Sequence, residues 1–253
     1  LVYEPRHYCE PDRIDADIYD EAIFDQMNIE VKNIAGLPLK AKVGRQDIIF
    51  GNGWLILDGT PLDGSRTIFF DAARATLELK EQKTVVDVIF VDNHADSDYW
   101  LPPFCDKDFH NIEQDEKGVI LYVTNKSLKD TQLDGYFIFK HDRRVLGPPT
   151  VAPWQAGTDA DIYVFGGRVA GNIINDHWKY RAEFAQEFGQ KNYDTLCALG
   201  ANAQLAYHFN DKLKNSVRVE YEYLSGDDPD TATNEQFDPL WGRWPQWSEL
   251  LAY

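Results

Sequence analysis

Residues 71–80 read DAARATLELK, and the fold is decided by their alternation. Ala73, Ala75, Leu77 and Leu79 fall on one face of an extended chain, and Arg74, Thr76, Glu78 and Lys80 on the other. Successive side chains of a strand point to opposite sides, so this spacing predicts a strand with one apolar and one polar face. Residues 216–224, SVRVEYEYL, repeat it: Val217, Val219, Tyr221 and Tyr223 oppose Arg218, Glu220 and Glu222. Residues 196–209, LCALGANAQLAYHF, carry the same pattern over a stretch that is long for a globular strand and natural for a tilted barrel stave.

Working outward, further strands are expected at 26–34, 39–46, 84–92, 119–125, 135–141, 161–170 and 178–189. Helical periodicity is nearly absent. Alternation lapses at Gly44, where a bulge is expected. The connections 35–38, 81–83, 126–134, 171–177 and 210–215 are compact and carry turn residues. Those at 47–70, 93–118, 142–160, 190–195 and 226–251 form a longer set, of which 190–195 is the shortest. Short and long connections alternate, and in an up-and-down meander every second connection emerges on the same side. One short-turn rim and one long-loop rim follow, which is the arrangement of an antiparallel transmembrane β-barrel. Residues 1–253 are read as a single all-β domain of this kind, a partial barrel of about ten strands. The chain opens at Leu1 without an initiator Met or an apolar leader and stops at Tyr253 after a Trp-rich stretch, so it reads as a fragment. The alternative is a soluble β-rich carbohydrate-binding module that uses the Trp-rich loop and exposes its charged strand faces to solvent.

Composition removes several function classes. No run of apolar residues is long enough for a membrane-spanning helix. The net charge of −17 argues against nucleic-acid binding, which needs a basic face to displace counterions. Cys9, Cys105 and Cys197 are too far apart for a zinc pattern. Cys197 is expected to pack inside an apolar strand, while a Cys9–Cys105 pairing stays open. Two acidic clusters, around Asp96–Asp98 with Asp92, Asp106, Asp108, Glu113, Asp115 and Glu116, and at Asp227, Asp228 and Asp230, read as solvated loops. Their carboxylates suit calcium, but no EF-hand pattern is present. Neither G-x-S-x-G nor H-E-x-x-H occurs, and Gly51-Asn52-Gly53 is no dinucleotide fingerprint. No catalytic residue, metal or cofactor is expected.

Residues 37–74, LPLKAKVGRQDIIFGNGWLILDGTPLDGSRTIFFDAAR, string together G-R-Q, F-G-N-G-W, G-S-R-T and D-x-x-R. Residues 219–251 add V-E-Y-E-Y-L-S-G-D-D, N-E-Q-F-D-P-L and a Trp-rich segment. In this order the motifs resemble the alginate-export family of outer-membrane β-barrels. The resemblance implies a monomeric barrel of roughly eighteen strands in the bacterial outer membrane, surrounded by its lipid. It also implies passage of an anionic polysaccharide, alginate-like, or a related anionic solute. This chain would supply a little over half of such a wall. The Trp-rich segment departs from the alginate exporter itself, which leaves the substrate open.

A channel for an acidic polymer needs fixed cations, and arginine pairs carboxylates bidentately while staying charged. The resemblance carries Arg45, Arg66 and Arg74 to the lumen or its mouth. Alternation alone adds Arg168, Arg181 and Arg218. Glu78, Glu183, Glu187, Glu220 and Glu222 fall on the same faces, either as cross-strand ladder partners or as groups that tune selectivity. Arg45 is in conflict, because strict alternation from Val43 puts it on the apolar side; the bulge at Gly44 is expected to turn it inward. Trp178, Tyr180 and Tyr207 suit an interfacial girdle. Trp241, Trp244 and Trp247, beside Arg243, either stack on sugars or pack a loop plug. A short helix is expected at 245–251, led by Pro245.

Overall fold

The computed structural model describes residues 2–6, 19–57, 69–95, 100–102, 104, 114–145, 157–173 and 177–242. Strands β1 (Val2–Arg6) and β2 (Tyr19–Ile23) form a separate antiparallel pair. The main sheet begins with β3 (Met27–Val31), β4 (Leu39–Gln46), β5 (Phe70–Leu79), β6 (Thr84–Asn93) and β7 (Gln114–Asn125). It continues with β8 (Thr131–Arg144), β9 (Ala160–Ile173), β10 (Trp178–Lys191), β11 (Asp194–His208) and β12 (Ser216–Leu224). These strands pair in strict chain order, each antiparallel to the next. The short β13 (Thr233–Asn234) pairs in parallel with β11. The expected up-and-down meander is therefore what forms. Among the described residues it does not close: β3 and β12 are its edges, as in a partial barrel.

Register converts alternation into two faces. One cross-strand row runs Ala73, Phe90, Val119, Phe139, Tyr163, Phe188. Several of its members are exposed, including Phe90, Tyr163 and Phe188, so at these positions the outward face is apolar and uncovered among the described residues. The neighbouring row is Arg74, Ile89, Ile120, Ile138, Val164, Glu187, and from Ile89 onward it is buried on the inner face. Burying each such isoleucine contributes roughly 1.5–3 kcal/mol.

Three local expectations need correction. Register across Gly44 is unbroken, with Asn28 and Ala72 as its partners, so there is no bulge. Gly44 instead takes φ 120° where a Cβ would meet the Met27 carbonyl at 2.4 Å; glycine is required by the close approach of β3. Second, Asp115 and Glu116 are not loop residues. They are buried members of β7, which starts at Gln114. Third, the β10–β11 connection is not a longer loop but a two-residue turn, Asn192–Tyr193, both at positive φ as a tight hairpin requires. Cys197 is also displaced from its expected packing: it lies exposed on the outward face opposite Phe188. Cys9, Cys105, Arg66, Trp244, Trp247 and the 245–251 helix fall outside the described residues.

Candidate functional site

The inner face is banded from one rim to the other. Nearest the long loops lies a polar band. There Lys140 sits between Glu116 (3.2 Å) and Asp142 (2.9 Å), with Asn93 beside them. Next comes the buried isoleucine row. Below it Tyr122 and Tyr136 stack with centroids 5.5 Å apart, and Phe50 stacks on Tyr122 at 4.0 Å. A charged band follows in register: Asp134, Arg168, Glu183, Asn202, Glu222. Antiparallel register places residues from five strands at one height, and this is how separate acids and bases meet.

Arg74, Arg168 and Arg181 each have a carboxylate partner. Arg74 Nε lies 2.8 Å from Asp87 Oδ1, and the Thr76 hydroxyl donates to the same carboxylate. Arg168 Nη1 donates to Asp134 at 2.9 Å, and its Nε lies 3.9 Å from Glu183. Arg181 Nη2 reaches Glu220 at 3.0 Å, crossing from β10 over β11 to β12. Glu78 pairs with Lys40 at 3.1 Å. Glu183 accepts from the Tyr136 hydroxyl at 3.2 Å. Arg218 is exposed on β12 and has no ion pair among the described residues.

Arg45 stands apart. With no bulge it keeps the face of Val43 and pairs in register with Asp71, which is the outward side. Nε and Nη2 make two 2.9 Å bonds to the Asp71 carboxylate, and Nη1 donates to the Phe24 carbonyl. The Phe69 ring lies 3.6 Å from its guanidinium carbon, and the residue is 1% exposed. The expectation that Arg45 turns inward does not hold. A cation left on the apolar face is tolerated because its donors are consumed locally.

Two loop segments fold onto the inner face and fill its long-loop half. Residues 48–57 bring Trp54, Leu55 and Ile56, and residues 237–241 bring Phe237, Leu240 and Trp241, all into the core cluster. The segments join each other: Leu57 N–H donates to the Trp241 carbonyl at 2.9 Å, and Trp241 N–H to the Leu55 carbonyl at 3.1 Å. They also reach the wall. Trp241 Nε1 donates to Glu116 and Trp54 Nε1 to Glu222, each at 2.8 Å, while Arg168 donates to Asn52 at 3.0 Å. Lys191 lies 2.7 Å from Asp238, whose own N–H donates to Glu187 at 2.9 Å. Burial opposes ionisation of Asp238, but the Lys140 and Lys191 charges and the Leu240 N–H outweigh it and hold the carboxyl below the usual range. Trp241 is therefore a plug residue. Reading single strands could not reveal the plug, because its partners lie 125 and 168 positions away. F-G-N-G-W and F-D-P-L were the available signal.

The family model described as alginate export matches residues 7–252. The chain belongs to the alginate export family. A search of curated proteins found no match. In this alginate export family member, the quoted motifs have structural tasks. G-R-Q stitches β4 to β5, with Gln46 Nε2 donating to the Ala72 carbonyl at 2.9 Å. D-x-x-R splits across the sheet: Asp71 clamps Arg45 outside and Arg74 meets Asp87 inside. F-G-N-G-W and F-D-P-L build the plug. At the short-turn rim, Trp178 and Tyr207 meet at 4.9 Å and Tyr207 and Phe209 at 5.1 Å on the outward side, while Tyr180 bonds Thr131.

Proposed function

We propose that this alginate export family member is part of the wall of a bacterial outer-membrane channel. The channel passes saccharide-type solutes along the inner face, with an anionic, alginate-like polymer as the class that the family description names. The family is one of transport rather than catalysis. The observation that carries the proposal is the contrast between the two sides of the same strands. Phe90, Phe165, Phe184, Leu205, Val219 and Tyr221 stand exposed on one side. Arg74, Arg168, Arg181, Glu183 and Glu220 stand on the other. A contiguous exposed apolar face needs a nonaqueous neighbour, and lipid supplies it for a meander whose edges are continued by further strands. The outward aromatic cluster Trp178–Tyr207–Phe209 suits the headgroup level.

Function is tested by reconstituting the full-length protein into planar bilayers. The proposal expects discrete conductance steps that saccharide polymers reduce when they enter. A protein that stays monomeric and soluble without detergent and gives no conductance would refute it.

A further inference from the structure

We propose that Lys179 and Arg218 form a docking pair for the carboxylates of an acidic polysaccharide at the short-turn mouth of this wall. The proposal rests on the channel reading above and adds where, and on which side chains, the polymer is first held. Lys179 is the second residue of β10 and Arg218 the third of β12, each beside a compact turn. Lys179 stands two residues before Arg181, and Arg218 two before Glu220, so alternation puts both on the inner face. Register runs from Lys179 through Ala206 on β11 to Arg218. Two strand steps separate the cations, roughly 10 Å between their backbones. Ala206 is too short to reach between their head groups. Both cations are exposed, and neither has an ion pair or side-chain hydrogen bond among the described residues.

The other inner-face arginines are already committed. Arg74 is held by Asp87, Arg168 by Asp134 and Arg181 by Glu220, at 2.8, 2.9 and 3.0 Å. A uronate reaching one of these would displace an internal carboxylate that is shielded from water and leave it without a partner, which is strongly unfavourable. Lys179 and Arg218 require no such exchange. The charge around them also confines the site to the rim. Lys179, Arg181 and Arg218 face one carboxylate, Glu220, among the described residues of the two neighbouring inner rows. In the next row inward, Asp134, Glu183 and Glu222 outnumber Arg168. An approaching polyanion is therefore drawn to the short-turn mouth and meets its first unpaired cations there. Arg218 offers a fork that holds a carboxylate through two parallel N–H bonds, and Lys179 a mobile point charge. Lys42 on β4 also lacks an ion pair among the described residues, but it has no unpaired neighbour to act with. Glu30 faces it in register, and the adjacent Lys40 and Arg74 are taken by Glu78 and Asp87.

The test uses the full-length protein in planar bilayers, with oligouronates of one length as the blocking probe. In channels of known insertion direction, oligouronate added on the short-turn side is expected to block several-fold more often than on the long-loop side. The association rate from the short-turn side is expected to fall roughly tenfold in the double substitution Lys179→Gln with Arg218→Gln. Ala206→Asp places an internal carboxylate between the two cations and is expected to lower the rate similarly without removing either. Lys42→Gln removes a cation elsewhere on the inner face and is expected to change the rate less than about twofold. Block by neutral malto-oligosaccharides is expected to stay unmoved throughout. Three results would overturn the docking pair while leaving the channel intact: block that is absent or no more frequent from the short-turn side, a rate unmoved by the double substitution and by Ala206→Asp, or an equal loss in Lys42→Gln. Absence of conductance in the unmodified protein would overturn both.

Discussion

At the residue scale, the sharpest result concerns Arg45, whose position follows from one glycine. The motif around it carried no sign of its task, because the deciding facts were the unbroken register through Gly44 and the approach of Asp71 from β5. Arg45→Ala leaves a shielded carboxylate without its partner. It is expected to cost roughly 3 kcal/mol in chemical unfolding followed in micelles, with ion selectivity unchanged. Altered selectivity at unchanged stability would mean that Arg45 works in the lumen. Asp238 supplies the pH dependence. Its folded pKa is depressed, so its contribution is complete above the ordinary carboxylate range and is lost as pH falls through the folded value. Hydrogen-exchange protection of 237–241 should therefore hold from neutral pH down to about pH 5 and decline below about pH 4. Asp238→Asn should weaken protection at neutral pH and flatten the decline; an unchanged profile would contradict the latch assigned to Lys191 and Asp238.

At the element scale, the number and order of the ten meander strands β3 to β12 were legible, because a period of two survives wherever one face must be apolar; β1, β2 and β13 were not expected. Strand ends were not legible. β7 and β8 run past their expected limits because Glu116 and Asp142 look like loop residues until their ion pairs with Lys140 are seen. The plug was half legible: Trp241, Trp244 and Trp247 suggested packing or sugar stacking, and for Trp241 the contact with Glu116 decides for packing. Gly118 tests this. A Cβ there would meet the Trp241 ring at 2.4 Å, so Gly118→Ala is expected to eject the indole and cost on the order of 1–3 kcal/mol. Trp241→Ala is expected to cost roughly 3–5 kcal/mol. Because both act on one contact, the double substitution should cost clearly less than the sum of the two, read from unfolding midpoints. Strict additivity would show that the indole is not seated against β7. Fluorescence quenching by acrylamide gives an independent reading, rising in Gly118→Ala if the plug loosens.

At the scale of the whole molecule, the sheet is a banded wall: a polar rim, an apolar belt capped by the plug, and a charged belt of paired groups. Sequence alternation revealed which residues share a side. It could not reveal that Arg74, Arg168 and Arg181 are already partnered, since each partner sits on another strand and is set by register. The central claim is that the apolar side of this sheet meets lipid. Spin labels placed singly from Leu199 to Tyr207 on β11, in the reconstituted full-length protein, test it most directly. The account predicts that accessibility to oxygen peaks at Leu199, Ala201, Ala203 and Leu205, with a water-soluble nickel reagent excluded there. Equal access of the nickel reagent to those positions and to their inward neighbours would contradict it.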